Sequence, residues 1–232
     1  MNNPLTLEEK VTVPRLLDHD LTGVLAVLLD ANVNPDLDFN SIQAMRSLLV
    51  ATLESVKILT RYDNFRLDTI VPEHIEYLLS NHQLVQSYFE KGTPLSIHSN
   101  IDKEFRTQQD LVQSALHNLI KNSSTYTSRE SGHIDIYVRD FSGEVPSPAY
   151  VMPDTPLAGD FVKFDVQDNG PGFSTNRPLN EFLQLGVTSR ERGGGFGLYY
   201  VGLVAKVLRS HIGIESEPGN TTVSLYHPLN LE

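Results

Sequence analysis

Apolar residues recur along this chain in two rhythms, and the change between them divides it. After Leu17, Leu21, Val24 and Leu28 follow at steps of four, three and four, the a/d seam of a helix. Leu16, Leu25 and Val27 widen that face. Residues 31–38, ANVNPDLD, crowd Asn, Asp and Pro into a loop in which Pro35 blocks helix continuation. A second helix starts near Phe39-Asn40-Ser41. Ile42, Met45, Leu49, Thr52, Val56 and Leu59 form its seam, and Leu48, Ala51, Ile58, Tyr62 and Phe65 form a second stripe. Two stripes exceed what one partner helix covers. The expectation is a helical hairpin over residues 1–68 that pairs with a second copy into a four-helix bundle, making a homodimer. Packing against the rest of its own chain is the alternative.

Residues 69–232 change rhythm and read as a mixed α/β domain. A helix is expected over 72–92, with Pro72 near its first turn and Gly92 at its end. PLSIHSN (94–100) reads as a strand. Residues 107–127 read as a helix with Leu111, Ala115, Leu119 and Ile120 on one face, and HIDIYVRDF (133–141) as an alternating strand. Residues 142–160 hold four prolines and two glycines and read as an insertion loop. Phe164 and Val166 alternate with Asp165 and Gln167 in the next strand. A loop with a short turn and a glycine cluster follow. A helix over 196–211 and a strand pair over 212–228 complete the chain, the pair turning at Pro218-Gly219-Asn220. The fold class is α+β.

Composition narrows the function. A formal charge of -11 argues against a nucleic-acid surface. The absence of cysteine excludes thiol nucleophiles and cysteine-held zinc. No apolar run approaches the roughly 20 residues that span a bilayer, and the start of the chain has no signal-peptide pattern. The expectation is a cytoplasmic chain with no membrane segment.

Three clusters carry candidate chemistry. In DNGPGF (168–173), Asp168 at a strand end can accept a hydrogen bond from an exocyclic amine, and Gly170 and Gly172 let backbone approach a flat ring. The same letters also spell an ordinary turn. In HNLIKN (117–122), Asn118 and Asn122 share a helix face, although asparagine is a poor mid-helix residue. Their carbonyl oxygens suit Mg²⁺; two exposed polar positions are the plainer reading. In RERGGGFGLYYVG (190–202), Gly193, Gly194, Gly195 and Gly197 precede a helix whose free N–H groups suit phosphate, with Arg190 and Arg192 just before them. This is neither a Walker A loop nor a G-x-G-x-x-G dinucleotide pattern; a mobile glycine loop is the alternative.

Taken in order, the clusters resemble the boxes of the GHKL ATPase family, which includes histidine kinases, type II topoisomerases, a heat-shock chaperone and mismatch-repair ATPases. HNLIKNSSTYT resembles the histidine-kinase N box, DNGPGF the G1 box and GGGFGLYYV the G2 box. ESEPGNTTVSLYHPL resembles the closing hairpin of the same kinases, and the likeness covers about residues 70–230. It implies a sandwich of a mixed sheet and three helices over 69–232 that holds ATP and Mg²⁺. By resemblance, Asp168 selects adenine and Gly170 and Gly172 admit the ring. Asn122 ligates the metal and Asn118 assists it or the phosphates. Thr188, Ser189 and Arg190 lie in the lid, Gly193, Gly195 and Gly197 let it close, and Thr221 reaches the adenine site through water.

LDHDLTGVL (17–25) resembles a histidine-kinase H box. His19 lies two residues, about 200°, from the Leu17 seam, so it points to solvent. A neutral imidazole is a competent nucleophile near pH 7. The resemblance implies His19 as phosphoacceptor and Asp20 as the acid that orients its ring. The phosphate then passes to an aspartate on a response-regulator receiver domain. Departures are Val24 where the H box has proline, Gly23 where a phosphatase residue stands, and Thr125 where the N box often has lysine. The lid, roughly 174–192, is short, with Phe182-Leu183 in place of a double phenylalanine. Two rivals remain: a histidine phosphotransfer protein whose kinase-like domain no longer binds ATP, and a serine-kinase or anti-sigma-type regulator, which typically lacks the H-box hairpin.

Overall fold

The computed structural model describes residues 67–75, 79, 94–127, 132–146, 148–153, 155–173, 177–184, 187–188, 195 and 197–229. The expected hairpin over 1–68, with its dimer seam, lies outside them but for its last two residues.

The alternating segments form a six-stranded sheet. Its strands are β2 (Leu95–Asn100), β4 (Ile134–Glu144), β5 (Pro148–Tyr150), β6 (Ala158–Asp168), β7 (His211–Glu217) and β8 (Asn220–Pro228), in the order β2-β4-β6-β8-β7-β5. β2 runs parallel to β4 and every other pair is antiparallel, which makes the sheet mixed as expected. A separate two-stranded sheet pairs β1 (Asp68–Ile70) with β3 (Phe105–Thr107).

Two helices cover one face, α1 (Gln109–Tyr126) and α2 (Gly197–Val207). The apolar stripe of α1 buries Leu111, Val112, Ala115, Leu116, Leu119 and Ile120. Ile134, Ile136 and Val138 of β4, Val162, Phe164 and Val166 of β6, and Ile212 and Leu225 meet them in one core. Of the third expected helix, 72–92, the described part is a 3₁₀ turn at Pro72–His74 followed by helical Ile75 and Leu79. No helix among the described residues is long and apolar enough to cross a membrane.

The opposite face of the sheet holds a smaller apolar cluster, Val145, Phe161 and Tyr226, and a buried carboxylate, Asp165. Arg139 Nη2 reaches Asp165 Oδ2 at 2.6 Å. Lys163 Nζ and the Ser224 hydroxyl reach Oδ1 at 3.0 and 2.6 Å. Burial of this charge is tolerated because both oxygens are paired.

Three expectations change. The stretch 142–160 is not all loop: β4 extends to Glu144, β5 adds an edge strand beside β7, and β6 begins at Ala158. His211 fixes this connection, its Nδ1 accepting from Met152 N at 3.0 Å and its Nε2–H donating to Pro156 O at 3.0 Å. The last helix ends at Val207 rather than at 211. Arg209 turns left-handed (φ 52°) and Ser210 N bonds back to Ala205 O at 2.8 Å, which stops the helix and frees His211 to start β7. Finally, β1 and β3 stand where no strand was expected.

Candidate functional site

The alternation that buries Val162, Phe164 and Val166 continues to Asp168, so a carboxylate ends β6 on the core face. The stripe of α1 continues from Ile120 to Ser123, which sets a hydroxyl against that carboxylate. Ser123 Oγ donates to Asp168 Oδ2 at 2.7 Å, and Gly170 N donates to Oδ1 at 2.9 Å. Each oxygen has two lone pairs, so each keeps one acceptor position. A Cβ on Gly170 would stand 2.8 Å from Asp168 Oδ1 and 3.4 Å from Tyr126 O, so only glycine fits there.

The closing hairpin supports the same loop. Gly219 N donates to Gly170 O at 2.8 Å, and Asn169 Oδ1 accepts from His133 N at 2.9 Å. Gly172 has φ 78°, and a Cβ on it would come within 3.0 Å of Ser216 Oγ and 3.1 Å of Glu217 O. Phe173 N donates to Ser216 Oγ, and Ser216 Oγ lies 3.1 Å from Thr221 Oγ1. Thr221 is buried and stands directly across from Asp168 in the β6–β8 ladder. The rings of Phe173 and Phe182 lie 4.8 Å apart, so Phe182 packs beneath the loop.

Asn118 and Asn122 both fall on α1, partly buried. Asn118 Nδ2 donates to Ser114 O at 2.9 Å, and Ser114 Oγ lies 2.9 Å from Tyr200 Oη on α2. Asn122 meets the start of α2: a Cβ on Gly197 would stand 2.8 Å from both its Nδ2 and its Oδ1. One side-chain amide and one helix N-terminus therefore share a spot.

An unbroken series of contacts thus joins Asn122 and Gly197, through Ser123 next in sequence, to Asp168, Gly170 and Thr221. Among the other expected residues, Gly195 has φ 66° and Thr188 is partly buried. His19, Asp20, Ser189, Arg190 and Gly193 lie outside the described residues. The sequence reading passed over Ser123 and Ser216. Ser123 carried a signal, since it is a polar residue at a stripe position one turn beyond Leu119; Ser216 carried none. Among the described residues no group of three or more His, Asp or Glu could hold a metal ion. A cation at this site would depend on the amide oxygen of Asn122 and on ligand oxygens.

A model of the family described as histidine kinase-, DNA gyrase B-, and HSP90-like ATPases matches residues 107–231. The fold is similar to that of the nucleotide-free catalytic domain of histidine kinase ThkA, at 15% identity and TM-score 0.51, covering 71% of this chain and 99% of that one. A second crystal form of that domain gives 16% identity and TM-score 0.50, covering 71% of this chain and 97% of that one. Acinetobacter baumannii histidine kinase AdeS aligns over 94% of this chain and 97% of its own, at 15% identity and TM-score 0.49. At such identities the likeness is one of fold. No curated protein matches the chain.

Proposed function

The chain belongs to the histidine kinase-, DNA gyrase B-, and HSP90-like ATPase family, and from that premise we propose that it is an ATP-dependent protein-histidine kinase of a two-component system. It moves the γ-phosphoryl group of ATP to His19 and from there to an aspartate on a response-regulator receiver domain. The observation that carries this reading is the single contact series from Gly197 through Asn122 and Ser123 to Asp168. It offers what a nucleoside triphosphate needs at its two ends: an acceptor for the base and a helix N-terminus for the phosphates.

Asp168 accepts the exocyclic amine of adenine on a lone pair that its two internal donors leave open. Gly170 and Gly172 keep the loop thin beside the ring, and Thr221 lines the same end of the site. Asn122 Oδ1 would hold Mg²⁺, and Asn118, one turn earlier, would assist the ion or the phosphates. The absence of Cβ at Gly197 lets phosphate, amide and helix terminus converge. When bound, Mg²⁺ neutralises charge on the phosphates; the residues of the chain position the reactants, the larger part of phosphoryl transfer. Thr188, Ser189, Arg190, Gly193 and Gly195 belong to the lid. His19 attacks phosphorus with Asp20 orienting its ring, ADP departs, and the receiver aspartate later takes the phosphoryl group. The hairpin over 1–68 pairs two copies, and the use of ATP places the reaction in the cytoplasm.

The test is incubation of the full chain with γ-labelled Mg-ATP. The expected label is acid-labile, alkali-stable and absent from His19→Gln. Label that persists in His19→Gln would discard the acceptor. Failure of the wild type to bind nucleotide would leave a passive phosphotransfer protein.

A further inference from the structure

We propose that Ser123 is a positioning residue for base recognition: it fixes the plane of the Asp168 carboxylate, so that the remaining acceptor positions select a purine carrying an exocyclic amine. The inference rests on the reading of Asp168 as the adenine contact.

Ser123 occupies the place in α1 where the apolar stripe would accept alanine without cost. A buried hydroxyl there needs a partner, and its partner is Asp168 Oδ2 at 2.7 Å, the short distance of a charge-assisted bond. A carboxylate turns about its Cβ–Cγ bond unless both oxygens are held. Gly170 N holds Oδ1 and Ser123 Oγ holds Oδ2. The first donor is backbone and belongs to any chain with this turn; the second is a choice of side chain.

The donor is itself well anchored. Ser123 O accepts from both Thr127 N and Thr127 Oγ1, each at 3.0 Å, which closes the last turn of α1 around it. Tyr126 O, in the same turn, would stand 3.4 Å from a Cβ on Gly170, ordinary packing distance, so the backbone of α1 rests against this turn. The end of α1 and the Asp168–Gly170 turn therefore form one fitted unit. With one proton donated to each oxygen, the remaining lone pairs can only accept. A 6-amino group supplies a donor to them, whereas a 6-oxo group sets lone pair against lone pair and is repelled.

The experiment compares ADP with purine riboside 5′-diphosphate, which carries hydrogen in place of the 6-amino group, by titration calorimetry on the full chain. The wild type should prefer ADP. Ser123→Ala should weaken ADP about tenfold, the size of one lost hydrogen bond to a charged group. It should leave the analogue within about twofold, because the lost contact serves only the amine. Ser123→Thr, which keeps the hydroxyl, should restore the preference. Equal weakening of both ligands would make Ser123 merely structural and overturn the proposal, as would unchanged ADP affinity. A wild type that binds both alike would instead overturn the reading of Asp168 itself.

Discussion

The side-chain amide of Asn122 lies directly against Gly197, with no room for a methyl group between them. In most helices, replacing glycine by alanine stabilises by up to about 1 kcal/mol. At Gly197 the added carbon would stand 2.8 Å from both amide atoms of Asn122, so the amide must swing aside. Gly197→Ala is expected to lower autophosphorylation from Mg-ATP by about a hundredfold, the effect of a reactant-holding group displaced by about 1 Å. The melting temperature should move by no more than a few degrees. Labelled-phosphate incorporation beside a thermal melt checks both; full activity would show that Asn122 does not hold the metal.

Asp168→Asn keeps the shape of the side chain and removes half of its acceptor capacity. With Gly170 N and Ser123 Oγ both donating, an amide can satisfy one and must turn its NH₂ toward the other. The serine hydroxyl can reverse and accept, so the fold should lose only about 1 kcal/mol. The amine of adenine would then face a weaker, partly occupied acceptor. ADP affinity is expected to fall by about tenfold or more in calorimetry. An unchanged dissociation constant would remove Asp168 from the site.

How much of this was visible in the letters follows from the length of each element. α1, β2, β4, β6 and the β7–β8 hairpin each repeat their period often enough to be read. β1 and β3 have three residues each, too few for any period, and form only because they pair with each other. β5 was hidden among prolines, since its one reason to be a strand is the edge of β7, distant in sequence. The end of α2 was overrun because Arg209 takes a left-handed conformation that normally announces itself with glycine. At the site, Asp168, Asn122 and Gly197 stood out as residue types unsuited to their elements. Ser123 showed only as a polar residue on an apolar stripe, and its role became legible once its hydroxyl was seen against a carboxylate.

Asp165 shows what a buried charge contributes away from the site. Its side chain is 2% exposed and has three partners, whereas Arg139 is half exposed. Removing the carboxylate by Asp165→Ala leaves the Lys163 ammonium, 13% exposed, beside an empty space. The expected loss is about 3 kcal/mol. Arg139→Ala should cost less, about 1 kcal/mol, because Lys163 and Ser224 still hold Oδ1 and water entering in place of the half-exposed arginine can serve the vacated Oδ2. Urea denaturation of the two variants tests the ordering; equal losses would show that Arg139 carries the cluster.

His227 makes stability depend on pH from within the core. It is completely buried, its Nε2–H donating to Arg106 O at 3.0 Å and its Nδ1 lying 3.1 Å from Ser210 Oγ. Burial disfavours the charged ring and lowers its pKa to about 4, against the partial opposition of its backbone partners. In the unfolded chain the same group titrates near its ordinary value of about 6.5. Between those values the unfolded state binds the extra proton, so stability is at its full value above about pH 6.5 and falls as pH drops toward 4. The total loss through this group is about 3 kcal/mol, most of it already gone by pH 4.5. His227→Gln keeps an N–H for Arg106 O and cannot titrate. Its stability at pH 7 should be lower than that of the wild type, and the gap should narrow or reverse by pH 5. Urea midpoints for both proteins across pH 4.5–7.5 measure this directly, and parallel curves would show that His227 does not cause the acid sensitivity.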